Sequence, residues 1–133
     1  MKNDLILNKI SIIERCIKRI HEEYESNPKN LENFTKQDSV ILNLQRACEA
    51  SIALAMHIIA LKKFEIPHNS LDAFLILEKE GILNSSLSLK MQTFVEFRNI
   101  YVDDRKINLE KLKNILDEHL IYFYEYTKTI LMY

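Results

Sequence analysis

The segment DSVILNLQRACEASIALAMHII, residues 38–59, decides the fold of this chain. Its apolar residues recur at steps of three and four, the spacing of one face of an α-helix. The pattern continues to Leu61 and forms two neighbouring stripes: Val40, Leu44, Ala47, Leu54, Ile58 and Leu61, and beside them Ile41, Cys48, Ile52, Ala55 and Ile59. A helix that is apolar over so wide an arc needs neighbours on at least two sides, so we predict that it is central in the domain.

Helices are also predicted on both sides of this segment, because 133 residues contain one glycine and two prolines and few points at which a helix must end. Periodicity and capping residues place five helices at about residues 4–24, 35–63, 70–80, 86–100 and 108–133, with a loop at 26–30. Thr35 and Asp38 are spaced like a capping box, and Gly81 follows the third helix as a left-handed C-cap would. We predict an all-α, up-and-down bundle of about five helices, a single domain over residues 1–133.

Composition excludes several classes of function. With 18 Lys and Arg against 19 Asp and Glu, there is no global basic field, so any contact with nucleic acid must be local. The sequence lacks a glycine-rich phosphate loop, HExxH and GxSxG, and its histidines are scattered, so neither a metal site nor a cofactor is predicted.

Cys16 and Cys48 are predicted to be buried thiols. Without about 18 consecutive apolar residues, we expect a soluble, cytoplasmic protein that does not enter a membrane.

The last predicted helix carries His119 in line with its apolar stripe, followed by several aromatic residues: Tyr122, Phe123, Tyr124, Tyr126 and Tyr133. For His119, a hydrogen-bonded core histidine outweighs a catalytic one. For the aromatic residues, core packing together with a subunit interface outweighs base stacking, because only Lys128 is interleaved with them.

The fourth predicted helix ends its apolar face in a charge. Leu87, Met91, Phe94 and Val95 share one face, and the next helical step reaches Arg98. An arginine there is costly unless it is paired, reaches water or faces a partner. Asn99, Asp103, Asp104 and Arg105 follow at once. This concentration of a cation, an amide and carboxylates indicates either a functional site or an Arg98–Asp103 ion pair that closes the turn.

Three segments resemble one known family. Residues 38–59, the sequence LEKEGIL at 77–83 and residues 91–102 are similar to successive helices of HepT-like toxins. These belong to the HEPN (higher eukaryote and prokaryote nucleotide-binding) superfamily and are small helical bundles paired with a minimal nucleotidyltransferase antitoxin. The resemblance covers nearly the whole chain in order, which makes it more specific than one short motif.

The resemblance implies a metal-independent RNase in which two copies face each other across a homodimer cleft. The family signature is Arg, four residues, His, one residue, Tyr. Carried over, Arg98 holds the scissile phosphate and stabilises its developing charge, and Asn99 is the polar residue beside it. The implied substrate is RNA, and the implied partner is a minimal nucleotidyltransferase antitoxin that adenylylates the tyrosine.

The sequence departs from that signature after Arg98. Counting onward, Asp103 takes the histidine position and Arg105 the tyrosine position; a one-residue deletion in the turn explains residues 102–105 equally well. Aspartate is a poor acid and a weak base at neutral pH, so we expect weakened or lost catalysis. Tyr101, four residues before Arg105, is a candidate substitute for the adenylylated tyrosine. Arg105 and Tyr101 complete the candidates for substrate contact.

Two other interpretations of the chain stay open. The first is a non-catalytic helical binding module that docks a nucleotidyltransferase or its substrate. The second is a helical scaffold in which Arg98 is purely structural. Replacing Arg98 distinguishes these two interpretations. A binding module would lose its ligand, whereas a scaffold would lose only folding stability.

Overall fold

A computed structural model of the chain describes residues 4–103 and 109–133, with only the backbone for residues 99–103. Its helices are α1 (Asp4–Tyr24), α2 (Phe34–Lys62), α3 (Ser70–Lys79), α4 (Ser85–Asp103), α5 (Leu109–Glu118) and α6 (Ile121–Met132), with a short 3₁₀ helix at Pro28–Glu32. The described residues contain no β-strand. The predicted all-α bundle is confirmed.

Helix α2 is the central element, as its two stripes predict. It packs against α1, α3 and α4, and α6 closes the bundle against α1 and α4. Every residue of both stripes is buried except Leu61, which is 52% exposed in the last turn of α2. By length and composition α2 is able to span a membrane, but more than half of its apolar window is buried inside the bundle. It is therefore better explained as the core helix of a soluble domain.

Asparagines begin four of the helical elements. In each case the side-chain amide oxygen accepts a hydrogen bond from a backbone N–H of the first turn, which has no partner within the helix. The pairs are Asn27 with Lys29, Asn33 with Lys36, Asn69 with Asp72 and Asn84 with Leu87, at 2.8–3.1 Å. The predicted Thr35–Asp38 capping box is therefore wrong, since Asn33 is the cap of α2. The 3₁₀ helix that Asn27 caps lies where a plain loop was predicted.

The predicted last helix is two helices. Helix α5 ends at Glu118 and α6 begins at Ile121. Between them, the N–H groups of Tyr122 and Phe123 donate to carbonyl oxygens three residues back, at 3.1 Å each. These tighter bonds belong to a 3₁₀ turn, and an apolar period read through them gives no sign of the break.

Aromatic contacts and one buried hydrogen bond fix α6 in the core. The rings of Phe94 and Phe123 stack with centroids 4.0 Å apart. The ring of Tyr126 meets Phe74 edge-on at 5.7 Å, and its hydroxyl donates to the Ser51 carbonyl at 2.8 Å. Because Ser51 lies on α2, this bond ties the last helix to the central one.

Replacing Tyr126 by phenylalanine is expected to lower the free energy of unfolding by about 1 kcal/mol, because a buried hydrogen bond is lost while ring packing is kept. Urea unfolding followed by circular dichroism measures this. Tyr124→Phe is the matched control, since Tyr124 is 42% exposed on the same helix. Equal losses in both variants would contradict a specific role for the Tyr126–Ser51 bond.

Candidate functional site

Helix α4 delivers Arg98 from a firmly packed base. The apolar residues that precede it are buried as predicted: Leu87, Met91, Phe94 and Val95, together with Phe97. Ser88 is fully buried as well, and its hydroxyl donates to the Phe74 carbonyl of α3 at 3.2 Å. Helix α4 continues through Asp103, three residues beyond the predicted end. Arg98 therefore lies inside a helix, at a backbone position that packing on α3 and α6 holds.

Arg98 is half-buried and lines a cavity of about 210 Å³. Val95 lies beside it on α4, and the opposite wall is the start of α3: Asn69, Ser70 and Leu71. The N-terminus of a helix carries a partial positive charge. Arg98 and this helix end line the same small space, and none of the described residues that line it is acidic. The carboxylate of Asp72, also in the first turn of α3, accepts the His68 N–H at 2.9 Å. The lining of the cavity is therefore suited to an anion.

Arg98 also acts electrostatically on the central helix. Cys48 of α2 is 1% exposed. Burial raises the pKa of its thiol, and the positive charge of Arg98 partly opposes that rise. The charge of Arg98 is therefore felt on α2, the helix against which α4 packs.

The other predicted site residues lie at the edge of what the structure describes. Asn99, Tyr101 and Asp103 belong to the backbone of α4, and their side chains fall outside the described part. Arg105 lies outside the described residues altogether, so an Arg98–Asp103 ion pair stays a prediction. At 3.6 residues per turn, position 101 is about 60° around the helix axis from position 98, and position 103 is about 140° away. Position 101 thus shares the Arg98 face more closely than position 103.

His119 does not line the Arg98 cavity. It lies in the turn between α5 and α6, with its ring edge against Tyr122 at 5.8 Å. Its Nδ1 atom is buried and has no hydrogen-bond partner among the described residues. The predicted hydrogen-bonded core histidine is therefore wrong for this nitrogen.

The sequence gives no direct signal for the second wall of the cavity. Asn69 is recognisable as a helix cap, but nothing local relates residues 69–71 to Arg98, which follows about 27 positions later. The α3–α4 connection brings them together. Within residues 4–103 and 109–133, no group of three His, Cys, Asp or Glu side chains is placed to hold a metal ion.

Comparison with known proteins identifies the family. The model of the family described as Ribonuclease HepT-like matches residues 10–130. The chain belongs to the HepT-like family. It is 41% identical over 129 residues to the mRNA nuclease HepT of Shewanella oneidensis, an alignment that covers 96% of this chain and 97% of that protein.

Solved structures of HepT-like relatives have the same fold. One is the tri-AMPylated HEPN toxin of Shewanella oneidensis in complex with its MNT antitoxin, with a TM-score of 0.93 and 40% identity. Another is a toxin–antitoxin structure with AMP-PNP, also with a TM-score of 0.93 and 40% identity. Each comparison covers 99% of this chain and 100% of the other. The six-helix arrangement is thus a HEPN fold, as the resemblance implies.

Burial of the Cys48 thiol is expected to make the stability of the HepT-like bundle depend on pH, because burial raises the pKa of the thiol. The folded state keeps the thiol proton at pH values where the unfolded chain releases it, above about 8.5. The unfolded state then binds fewer protons, so the free energy of unfolding falls as pH rises, by up to about 1.4 kcal/mol per pH unit for one thiol. Cys48→Ala is expected to flatten this decline in urea unfolding between about pH 7.5 and 9.5.

Cys16→Ala is the matched control for that experiment. Burial raises the pKa of the Cys16 thiol too, but Arg46 and Arg15 oppose the rise from two helices. Cys16→Ala is expected to change the slope of the free energy of unfolding against pH less than Cys48→Ala does. A Cys48→Ala slope identical to that of the unmodified protein would contradict the argument.

Proposed function

We propose that this HepT-like protein is the toxin component of a toxin–antitoxin pair, with an RNase fold whose catalysis is weakened or lost. The observation that carries the proposal is Arg98 at the end of a buried apolar face, in a cavity that it shares with the start of α3. A cation placed there suits a phosphate group of RNA. The mRNA nuclease activity named for the Shewanella oneidensis relative supports the same reaction class.

The reaction needs little beyond positioning and proton transfer. The ribose 2′-oxygen attacks the adjacent phosphorus and loses its proton, and the bond to the 5′-oxygen breaks as that oxygen gains a proton. Arg98 holds the phosphate and stabilises the negative charge that grows on its oxygens, with Asn99 beside it. A side chain that titrates near neutrality is best suited to the proton transfers. In the family signature this side chain is the histidine, and Asp103 occupies its position here. The low pKa of an aspartate makes it a weak base and a poor acid at neutral pH.

The partner we propose is a minimal nucleotidyltransferase antitoxin. A relative with the same fold is AMPylated and in complex with an MNT antitoxin. In this chain Arg105 occupies the place of the modified tyrosine, and Tyr101, about 60° from Arg98 around α4, is the proposed acceptor. Residues 1–133 form one domain in this proposal and act in the cytoplasm. Two copies form a homodimer whose cleft brings two Arg98 side chains together.

Arg98→Ala is expected to weaken binding of single-stranded RNA by about thirtyfold, because a charged hydrogen bond to phosphate contributes about 2 kcal/mol. Fluorescence anisotropy with a labelled oligoribonucleotide measures the change. Lys128→Ala removes the same charge from an exposed position on α6 and should leave binding unaltered. If both variants bind like the unmodified protein, Arg98 is not a phosphate contact.

Weakened catalysis is tested with total RNA and the purified protein. We expect the unmodified chain to cleave little RNA, and we expect Arg98→Ala not to cleave more than the unmodified chain does. Robust cleavage that disappears in Arg98→Ala would contradict the weakened reaction and leave the toxin assignment intact.

Asp103→His is expected to increase RNA cleavage by a factor on the order of 10², which is the usual contribution of general acid–base catalysis. The gain should vary with pH near neutrality, since a histidine titrates there. Adding Arg98→Ala to Asp103→His should abolish it. If Asp103→His gains nothing, either position 103 is not the position of the missing histidine, as the deletion alignment of residues 102–105 implies, or the chain is the non-catalytic module described next.

The replacements at Asp103 and Arg105 also favour a second function, a non-catalytic module that docks a nucleotidyltransferase. This function predicts a stable complex with the nucleotidyltransferase, together with no Arg98-dependent RNA cleavage even in Asp103→His. Size-exclusion chromatography with light scattering reports both this complex and the proposed homodimer. A monomer mass for the isolated chain would contradict the dimer.

A further inference from the structure

A groove between α1 and α2 gathers most of the arginines of this protein. The sequence contains five arginines, and Arg15, Arg19 and Arg46 line one groove of about 670 Å³. None of the described residues that line it is a lysine. Since net charge provides no general attraction for polyanions, a local cluster of this kind is where such an attraction must arise.

The positive charge is concentrated at one end of the groove. Arg19 is already paired, with Glu23 at 3.1 Å and Glu22 at 3.8 Å. Neither Arg15 nor Arg46 forms a salt bridge with any residue that the structure describes. The one acidic residue of the groove wall is Asp38. In the antiparallel α1–α2 pair Asp38, from the start of α2, lies toward the Arg19 end, which leaves Arg15 and Arg46 uncompensated.

Arg15 and Arg46 approach from opposite walls. Arg15 lies on α1 and Arg46 on α2, and both line the groove together with Cys16. Both positive charges oppose the rise that burial causes in the pKa of the Cys16 thiol. Two planar guanidinium groups that line one groove from different helices can each donate two hydrogen bonds to phosphate oxygens.

The remaining walls of the groove combine apolar and polar groups. Ile12 and Leu42 provide apolar surface, and Ser39 and Asn43 provide polar groups. The Asn43 amide donates to the Ser39 carbonyl at 2.8 Å. Protein interfaces are usually anchored by aromatic side chains, and none of the described residues that line this groove is aromatic. Binding of RNA through its backbone needs only cations placed along the strand.

The groove is separate from the Arg98 cavity. The described residues that line the groove belong to α1 and α2, whereas those that line the Arg98 cavity belong to α4 and to the start of α3. The two linings share no residue, so the two arginine sites are different surfaces of the bundle.

We propose that the Arg15–Arg46 end of the groove binds a phosphodiester of single-stranded RNA outside the Arg98 cavity. The choice of RNA as the polyanion rests on the proposed function. In this proposal the groove increases the affinity for RNA strands and takes no part in bond cleavage. Arg98 is the arginine that contacts the scissile phosphate.

The test measures anisotropy of a labelled single-stranded RNA at several salt concentrations, with the full chain. Arg15→Gln/Arg46→Gln is expected to weaken binding on the order of tenfold and to reduce the slope of log affinity against log salt by about 1.4, that is about 0.7 for each lost phosphate contact. Lys18→Gln/Lys128→Gln removes two charges from exposed positions on α1 and α6 that do not line the groove, and it should change binding less than twofold. Circular dichroism verifies that both variants fold.

The outcomes separate this proposal from the function of the Arg98 cavity. If Arg98→Ala loses RNA binding while Arg15→Gln/Arg46→Gln keeps the normal affinity and salt slope, the groove proposal is wrong and the proposed function stands. If Arg15→Gln/Arg46→Gln loses affinity while Arg98→Ala affects neither binding nor cleavage, the groove proposal stands and the role of Arg98 is wrong. Equal losses in the two double variants, no RNA binding at all, or loss only of nucleotidyltransferase binding would overturn the groove proposal.

Discussion

The structure depends on burying the wide apolar arc of α2. One helix on one side cannot cover two adjacent stripes, so α1, α3 and α4 must all pack against it. This requirement fixes the relation between helices that are distant in sequence. The cavity at Arg98 is one result, because α3 and α4 both lie on α2 and the start of α3 then faces the end of the α4 apolar face.

Much of this arrangement could be predicted from the sequence, and the reasons are local. The stripes of α2 and the apolar face that ends in Arg98 are periodic signals, and Gly81 after the third helix, which has a φ of 77°, is a capping signal. The break at His119–Leu120 could not be predicted, because a 3₁₀ turn changes the hydrogen-bond step without requiring glycine or proline. Asn33 was missed as the cap of α2 because Thr35 and Asp38 imitate a capping box nearby.

Only the α4 side of the candidate site, with Arg98, could be predicted from the sequence. Arg98 could be singled out because a guanidinium at the end of an apolar face needs an explanation. Its neighbours Asn69, Ser70 and Leu71, and the convergence of Arg15 with Arg46, depend on tertiary contacts that no local pattern contains. Family membership adds an interpretation of Arg98, but Asp103 and Arg105 still limit how far the chemistry of the family applies to this chain.

The i,i+4 spacing of Arg15 and Arg19 also has a thermodynamic consequence. Like charges at that spacing repel each other on a helix and destabilise it by a few tenths of a kcal/mol. Glu22 and Glu23 relieve the repulsion on one side only. An anion that binds the groove in the folded state alone would relieve the rest and stabilise the fold by mass action. Bundle stability is thereby linked to occupancy of the groove, and α1 is the helix through which that linkage acts.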